Sequence, residues 1–218
     1  MESHYRVVLV HGFLKSKKDM MVLEKKILEK GYSVDNIELP LTFSEISICE
    51  EILVNKIKNI KLSKMKNSKR IILIGHGLGG LLLRRVLPMF FEDFIDIKLI
   101  LIGAPNRVPE IVLKNIKIIK LLSKIFKPLK IFFNNEIEKT ITKKEIQIGV
   151  VAGTERGKRS ILKDEIRLND GVFYLEEVCF KFEHELLKIP FSHNELHKRN
   201  GTIEYIFDFI EAGKFDIK

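Results

Sequence analysis

Residues able to do chemistry gather in four stretches of this 218-residue chain. One is Gly75-His76-Gly77-Leu78-Gly79-Gly80, a histidine among glycines. The others are His11-Gly12-Phe13, Asn169-Asp170-Gly171-Val172, and Ser192-His193-Asn194-Glu195 with His197 one helical turn further on. Histidines and carboxylates are residue types from which acyl transfer could draw a base and a group that orients it; its other parts are a nucleophile and donors for the developing oxyanion. No hydroxyl or thiol stands in the glycine cluster. Asn-Asp-Gly is also ordinary turn chemistry, His197 rivals His193, and His184 falls in a strand-like run where it would pack or face solvent. No grouping of His, Cys and carboxylates along the chain has metal-ligand spacing, and no phosphate-binding loop is present. The glycine cluster fails as a dinucleotide fingerprint, which belongs after the first strand and wants an acid some twenty residues later.

The elements that must position these residues follow from hydrophobic spacing. A compact apolar strand over 5–10 runs into His11. A helix over 16–31 takes Ser16 as N-cap and sets Met20, Met21, Leu23, Ile27 and Leu28 on one face, with Gly31 at its end. A strand over 33–39 closes at Pro40, a helix spans 43–62, and Asn67-Ser68 makes a turn. Ile71 to Ile74 suits a strand buried on both faces, broken by glycines into a tight turn and an amphipathic helix that stops near Pro88. Further strands cover 97–102, 146–151 and 183–189, and a last helix covers 202–212. Strands alternating with helices predict an α/β fold with a mostly parallel sheet. In such a sheet the loops after the first and third strands lie side by side at the switch point.

The strand, glycine turn and helix resemble the nucleophile elbow of the α/β-hydrolase family, lipases and esterases in particular, whose motif is G-x-S-x-G. Here the nucleophile position holds Gly77. The resemblance, to the minimal bacterial lipases, implies a three-layer sandwich of six strands in the order 2-1-3-4-5-6. It implies oxyanion donors at the backbone N–H groups of Phe13 and Leu78, and places His11, Gly12 and His76 beside them as substrate-binding residues. Leu168-Asn169-Asp170-Gly171-Val172 is similar to the segment carrying the acid in several bacterial lipases, and the resemblance puts the base at His193. The implied activity is hydrolysis of acyl esters or lipids, without cofactor or metal, and held low by the missing hydroxyl. The alternative is a non-catalytic protein that keeps the pocket for an acyl ligand, an anionic membrane surface or a protein partner.

Segment 108–138 fits no strand. Lys114, Lys117, Lys120, Lys124 and Lys127 alternate with Ile116, Ile118, Ile119, Leu122, Ile125 and Phe126, which predicts a basic amphipathic helix ended by Pro128. It is expected either to pack on the sheet or to form a lid or cap over 106–140 that could touch an anionic membrane. The length and the 45% hydrophobic content fit one globular domain over 1–218. The net charge of +9 is spread along the chain, and with no zinc-finger, RNP or helix-turn-helix pattern nucleic acid is not an expected partner. Cys49 and Cys179 cannot build a disulfide framework and are expected as buried thiols. No signal-peptide pattern and no charge-free stretch of about 20 residues occurs, so a cytoplasmic protein is expected.

Overall fold

The apolar runs near 5–10, 71–74 and 97–102 alternate between two environments, as residues of a strand covered on both faces must. In the computed structural model, which describes residues 5–64, 70–133, 146–158 and 160–216, they form part of one six-stranded sheet. Its strands are β1 (Tyr5–Val10), β2 (Ser33–Ile37), β3 (Arg70–His76), β4 (Asp96–Ile102), β5 (Gln147–Gly153) and β6 (Glu185–Ile189). The order is β2-β1-β3-β4-β5-β6 and every pairing is parallel. The 2-1-3-4-5-6 expectation holds.

Two helical layers cover the sheet. Val7, Leu9, Ile72, Ile74, Ile100 and Ile102 pack against Leu23 and Ile27 of α1 (Met21–Glu29) and Ile206 and Phe209 of α7 (Asn200–Ala212). The alternate residues Val8, Val10, Ile71, Leu73, Leu99 and Leu101 pack against Leu53 and Ile57 of α2 (Ile46–Lys64) and Leu82 of α3 (Leu78–Val86). Each of these aliphatic side chains contributes about 1.5–3 kcal/mol by leaving water. The core therefore clamps the strands whose carboxyl ends carry the site. Val10 pairs with Gly75 and His76 with Ile102, so β1, β3 and β4 end side by side.

Several expectations need correction. A 3₁₀ turn over Lys17–Met20 precedes α1, and Ser16 flanks it without a side-chain cap bond. That turn changes the helical phase, which leaves Met21 and Leu28 exposed while Met20, Leu23 and Ile27 are buried. The continuous basic helix is absent. α4 (Glu110–Lys114) stops at Asn115, whose side-chain amide donates to Ile111 O at 2.9 Å, an example of a local side-chain bond competing with the helix. α5 (Ile116–Leu122) follows with no buried residue, and Pro128 lies inside a later 3₁₀ turn, Lys127–Phe133. The last four-residue helix, α6, is Leu175–Val178. Both cysteines are free thiols, Cys49 buried and pushed up to about 11 by burial, Cys179 only half-buried. Among the described residues no helix is long and apolar enough to cross a membrane. The Asn67-Ser68 turn and residues 134–140 of the expected cap lie outside the described residues.

Candidate active site

The turn between β3 and α3 is set by glycines. Gly77 sits at φ +52°, ψ −122°, a conformation that L side chains rarely adopt. Its N–H donates to Ile102 O at 2.9 Å, and its carbonyl accepts from Gly80 N at 3.1 Å and Leu81 N at 3.3 Å. Leu78 opens α3, so its N–H is one of the donors that a helix start leaves without an intrahelical partner. Gly79 lets that helix start press on β1: a Cβ there would collide with His11 O and lie 2.7 Å from Val10 O. The helix terminus is thereby held against the His11-Gly12-Phe13 loop.

Asp170 and His193 meet at the same end of the sheet. His193 Nδ1 lies 2.7 Å from Asp170 Oδ2. The other carboxylate oxygen, Oδ1, accepts from Val172 N at 2.9 Å and Phe173 N at 2.8 Å, and His193 N donates to Asp170 O at 2.9 Å. The Asx turn and the histidine partner, alternatives in the sequence, are both present and use different oxygens. With the Asp170 carboxylate as acceptor, Nδ1 of His193 is the donor, and in the neutral imidazole Nε2 is then the nitrogen with the lone pair. That Nε2 is 3.4 Å from where a Cβ on Gly77 would stand, with Gly12 Cα at 3.9 Å from the same point. These are ordinary van der Waals separations, so the position next to Nε2 has room for a side chain.

The remaining expected residues divide. Gly12, Phe13, His76, Gly77, Leu78 and His193 all line one cleft of about 410 Å³, whose far wall comes from Ile111, Val112, Ile119, Leu129 and Phe132. That wall belongs to segment 108–133, so the segment expected as a lid does border the site. Phe13 also meets Phe126 edge-on, ring centroids 5.9 Å apart. His11 does not line the cleft. Its ring is fully buried, accepting from Leu39 N at 3.1 Å through Nε2 and lying 3.0 Å from Gly12 O through Nδ1, because the side chain at the end of β1 points toward the carboxyl end of β2. It ties the loop down from behind. His76 is buried too. Its Nε2 donates to His193 O at 3.0 Å, and burial, then the neighbouring His197 and His193, hold its pKa well below the ordinary 6.5. A neutral His76 thus anchors the backbone of His193.

Sequence reasoning missed a second cluster behind the site. His197 Nε2 lies 2.9 Å from Asp19 Oδ2, Lys198 bonds the same carboxylate, and the His197 and His76 rings are 4.1 Å apart. Burial pushes the Asp19 carboxyl up, but the hydrogen bonds from His197 and Lys198 outweigh it and hold the group below its usual range. Although spacing along the chain showed no metal-ligand pattern, folding brings ligand-type atoms of Asp19, His76 and His197 within 4.8 Å of one another. Lys198 already supplies positive charge to that carboxylate, which makes the group an internal ion pair. The cue in the sequence was only His197 itself. Leu14 and Lys15 were also missed: Leu14 has φ +57° without being glycine, and both line the cleft.

Residues 2–123 match the family model described as "Putative serine esterase (DUF676)". No curated protein sequence matches the chain. Among solved structures, the chain is similar to the mature form of Bacillus licheniformis lipase BlEst2, with TM-score 0.70 and 14% identity, covering 95% of this chain and 91% of that one. A pyrethroid hydrolase from Sphingobium faniae JZ-2 gives TM-score 0.63 at 14% identity, covering 95% and 98%. A variant of tomato methylketone synthase I complexed with beta-ketoheptanoate gives 0.62 at 12%, covering 96% and 98%. At such identities the likeness carries the fold, the α/β-hydrolase arrangement, and nothing finer.

Proposed function

The chain belongs to the DUF676 family, and from that membership we propose that it is a scaffold for acyl-ester hydrolysis whose turnover is held low by the absent hydroxyl at Gly77. The observation that carries this is the His193 ring, oriented by Asp170 through Nδ1 with Nε2 3.4 Å from the vacant Cβ position of Gly77. With a serine there, Oγ would attack the ester carbonyl as Nε2 takes its proton. Asp170 would stabilise the resulting imidazolium, and the N–H groups of Leu78 and Phe13 would hold the oxyanion. Collapse would return the proton to the departing alcohol and leave an acyl-serine, which water then hydrolyses by the same base. The 410 Å³ cleft, walled by Ile111, Val112, Ile119 and Phe132, supports an acyl chain as the bound group. Segment 106–140 is read as the cap over it, one domain as the organisation, and the two free thiols support a reducing, cytoplasmic setting.

Gly77→Ser is the test. The serine must hold φ near +52°, at a cost of about 1–3 kcal/mol, while gaining at least about 10³-fold in hydrolysis of p-nitrophenyl esters over the unmodified protein. A folded Gly77→Ser protein that stays inert on both short and long acyl esters overturns the proposal.

A second reading has its own observation. Ile118, Leu121 and Ile125 are exposed beside Lys117, Lys120 and Lys124, and this apolar and basic surface adjoins the cleft wall. It supports peripheral contact with an anionic membrane, by apolar insertion together with lysine attraction. Sedimentation with anionic liposomes at low salt tests it, and protein left in the supernatant removes this reading.

A further inference from the structure

Beyond the acyl cleft, the described residues hold a second cleft of about 600 Å³ that also borders His193, and its lining is mixed and carries charge. Both clefts are lined by Lys15, Val172, His193 and Asn194, so His193 stands on the partition between them. The second is lined by Lys15, Arg156, Lys158 and Lys198, with Asp170 and Glu195 as its acids. Those acids are committed. Asp170 holds His193 and two backbone N–H groups, and Glu195 accepts from Ser192 Oγ at 2.6 Å and pairs with Arg199. Among the cations, Lys198 is bound to Asp19, and Arg156 to Glu165 at 3.0 Å. Lys15 and Lys158 have no ion-pair partner among the described residues, and the balance of uncommitted charge in the cleft is positive.

The loop carrying Arg156 and Lys158 is seated by backbone contacts. Gly157 approaches so closely that a Cβ there would lie 2.9 Å from Ser192 Cβ, the residue before His193. Further along, Ile161 N and Leu162 N donate to Gly171 O at 2.8 and 3.1 Å, next to Asp170. The two basic residues therefore flank a point fixed against the histidine turn. A cleft whose uncommitted charges are of one sign attracts an oppositely charged ligand.

We propose that the site takes single-chain acyl esters with an anionic alcohol part, a phosphate or carboxylate, the acyl chain lying in the apolar cleft and the anion between Lys15 and Lys158. This rests on the acyl-cleft reading given above. It adds the class of alcohol. The ester bond of such an amphiphile falls at the partition, beside His193 and Gly77.

Calorimetric titration of the unmodified protein with octanoyl glycerol phosphate and octanoyl glycerol, both below their micellar range, tests it. The phosphate ester is expected to bind about 10-fold tighter at low salt. That preference should shrink at high salt and vanish in the Lys15→Glu/Lys158→Glu double variant. Glycerol phosphate without a chain separates the two possible sources of the anion and is expected to bind weakly and with the same salt dependence. Equal affinity for the two esters overturns the anionic subsite while leaving the acyl cleft intact. Glycerol phosphate binding as tightly as its octanoyl ester assigns the cleft to a free anion and overturns the ester proposal. No binding of either ester overturns the acyl-cleft reading, and this inference with it.

Discussion

Two histidine–carboxylate pairs lie one helical turn apart in this protein, and they have nearly the same length. His193 and Asp170 are 2.7 Å apart, His197 and Asp19 2.9 Å. Their surroundings differ in every other respect. The His193 side chain is 12% exposed and borders both clefts, whereas that of His197 is 0% exposed. His193 spends Nδ1 on its carboxylate and leaves Nε2 facing the space at Gly77. His197 turns Nε2 to Asp19, donating to its backbone carbonyl at 3.1 Å beside the carboxylate, and its Nδ1 is buried without a hydrogen-bond partner among the described residues. Lys198 further occupies Asp19. Burial, the largest influence on His197, lowers its pKa, and Asp19 only partly offsets this. A histidine beside an aspartate is thus not by itself a base for catalysis. What matters is which nitrogen remains and what it faces.

The largest test of that contrast is kinetic. In a Gly77→Ser background, Asp170→Asn is expected to lower kcat by about 10⁴-fold, because the wrong tautomer of His193 would be presented. His193→Ala should cost about as much as losing the serine again. Asp19→Asn, removing the carboxylate of the other pair, is expected to stay within about 10-fold, since it acts only through the packing of His76 and His197. Steady-state p-nitrophenyl ester kinetics on the three variants read this directly. Equal losses for Asp19→Asn and Asp170→Asn would erase the distinction between a site pair and a structural pair.

The contrast also marks how far the sequence could be read. The sheet was legible because strands buried on both faces leave apolar runs, and the elbow was legible because its glycines are consecutive requirements of one turn. Asp170 and His193, which the structure brings to 2.7 Å, stood out in the sequence because a turn tetrapeptide and a histidine after the last strand are local features. The Asp19–His197 pair spans 178 residues, and only the tertiary packing of the 3₁₀ turn before α1 against the turn before the last helix brings it together. The broken helix at Asn115 failed for a different reason. Its lysines and isoleucines keep helical spacing, but the Asn115 amide shares Ile111 O with its own backbone N–H and the residue leaves the helical range at φ −118°, ψ 29°, an effect that periodicity does not contain. His11 was misplaced because a residue type and a loop do not give the direction of a ring.

Stability should invert the kinetic ranking. His197→Ala removes a fully buried ring and its hydrogen bonding to Asp19, leaving a cavity behind the site, and is expected to destabilise by about 3 kcal/mol. His193 borders two clefts from which water can replace it on Asp170 Oδ2, so His193→Ala is expected to cost less, about 1 kcal/mol. Urea unfolding with a shared m-value gives both numbers. A His193→Ala loss matching that of His197→Ala would show that the site histidine is also a structural one.

The smallest effect is a pH dependence carried by the buried side of the comparison. Burial holds both His76 and His197 below their ordinary 6.5, so the folded protein keeps them neutral where the unfolded chain would protonate them. In that range the unfolded state binds more protons, and stability rises with pH. The stabilisation is complete above about pH 6.5 and is lost progressively as the pH falls from there toward the two depressed folded values, at up to about 1.4 kcal/mol per pH unit for each histidine. Asp19, depressed below its ordinary 3.8, adds a second loss only at lower pH. Thermal melts from about pH 7 to about pH 5 should therefore show a falling Tm, and His76→Asn should reduce the slope by removing one of the two protonation sites. A flat profile in the unmodified protein would mean that these two rings take up protons as readily in the folded state as in the unfolded chain, and burial would then not be what sets the inner pair apart.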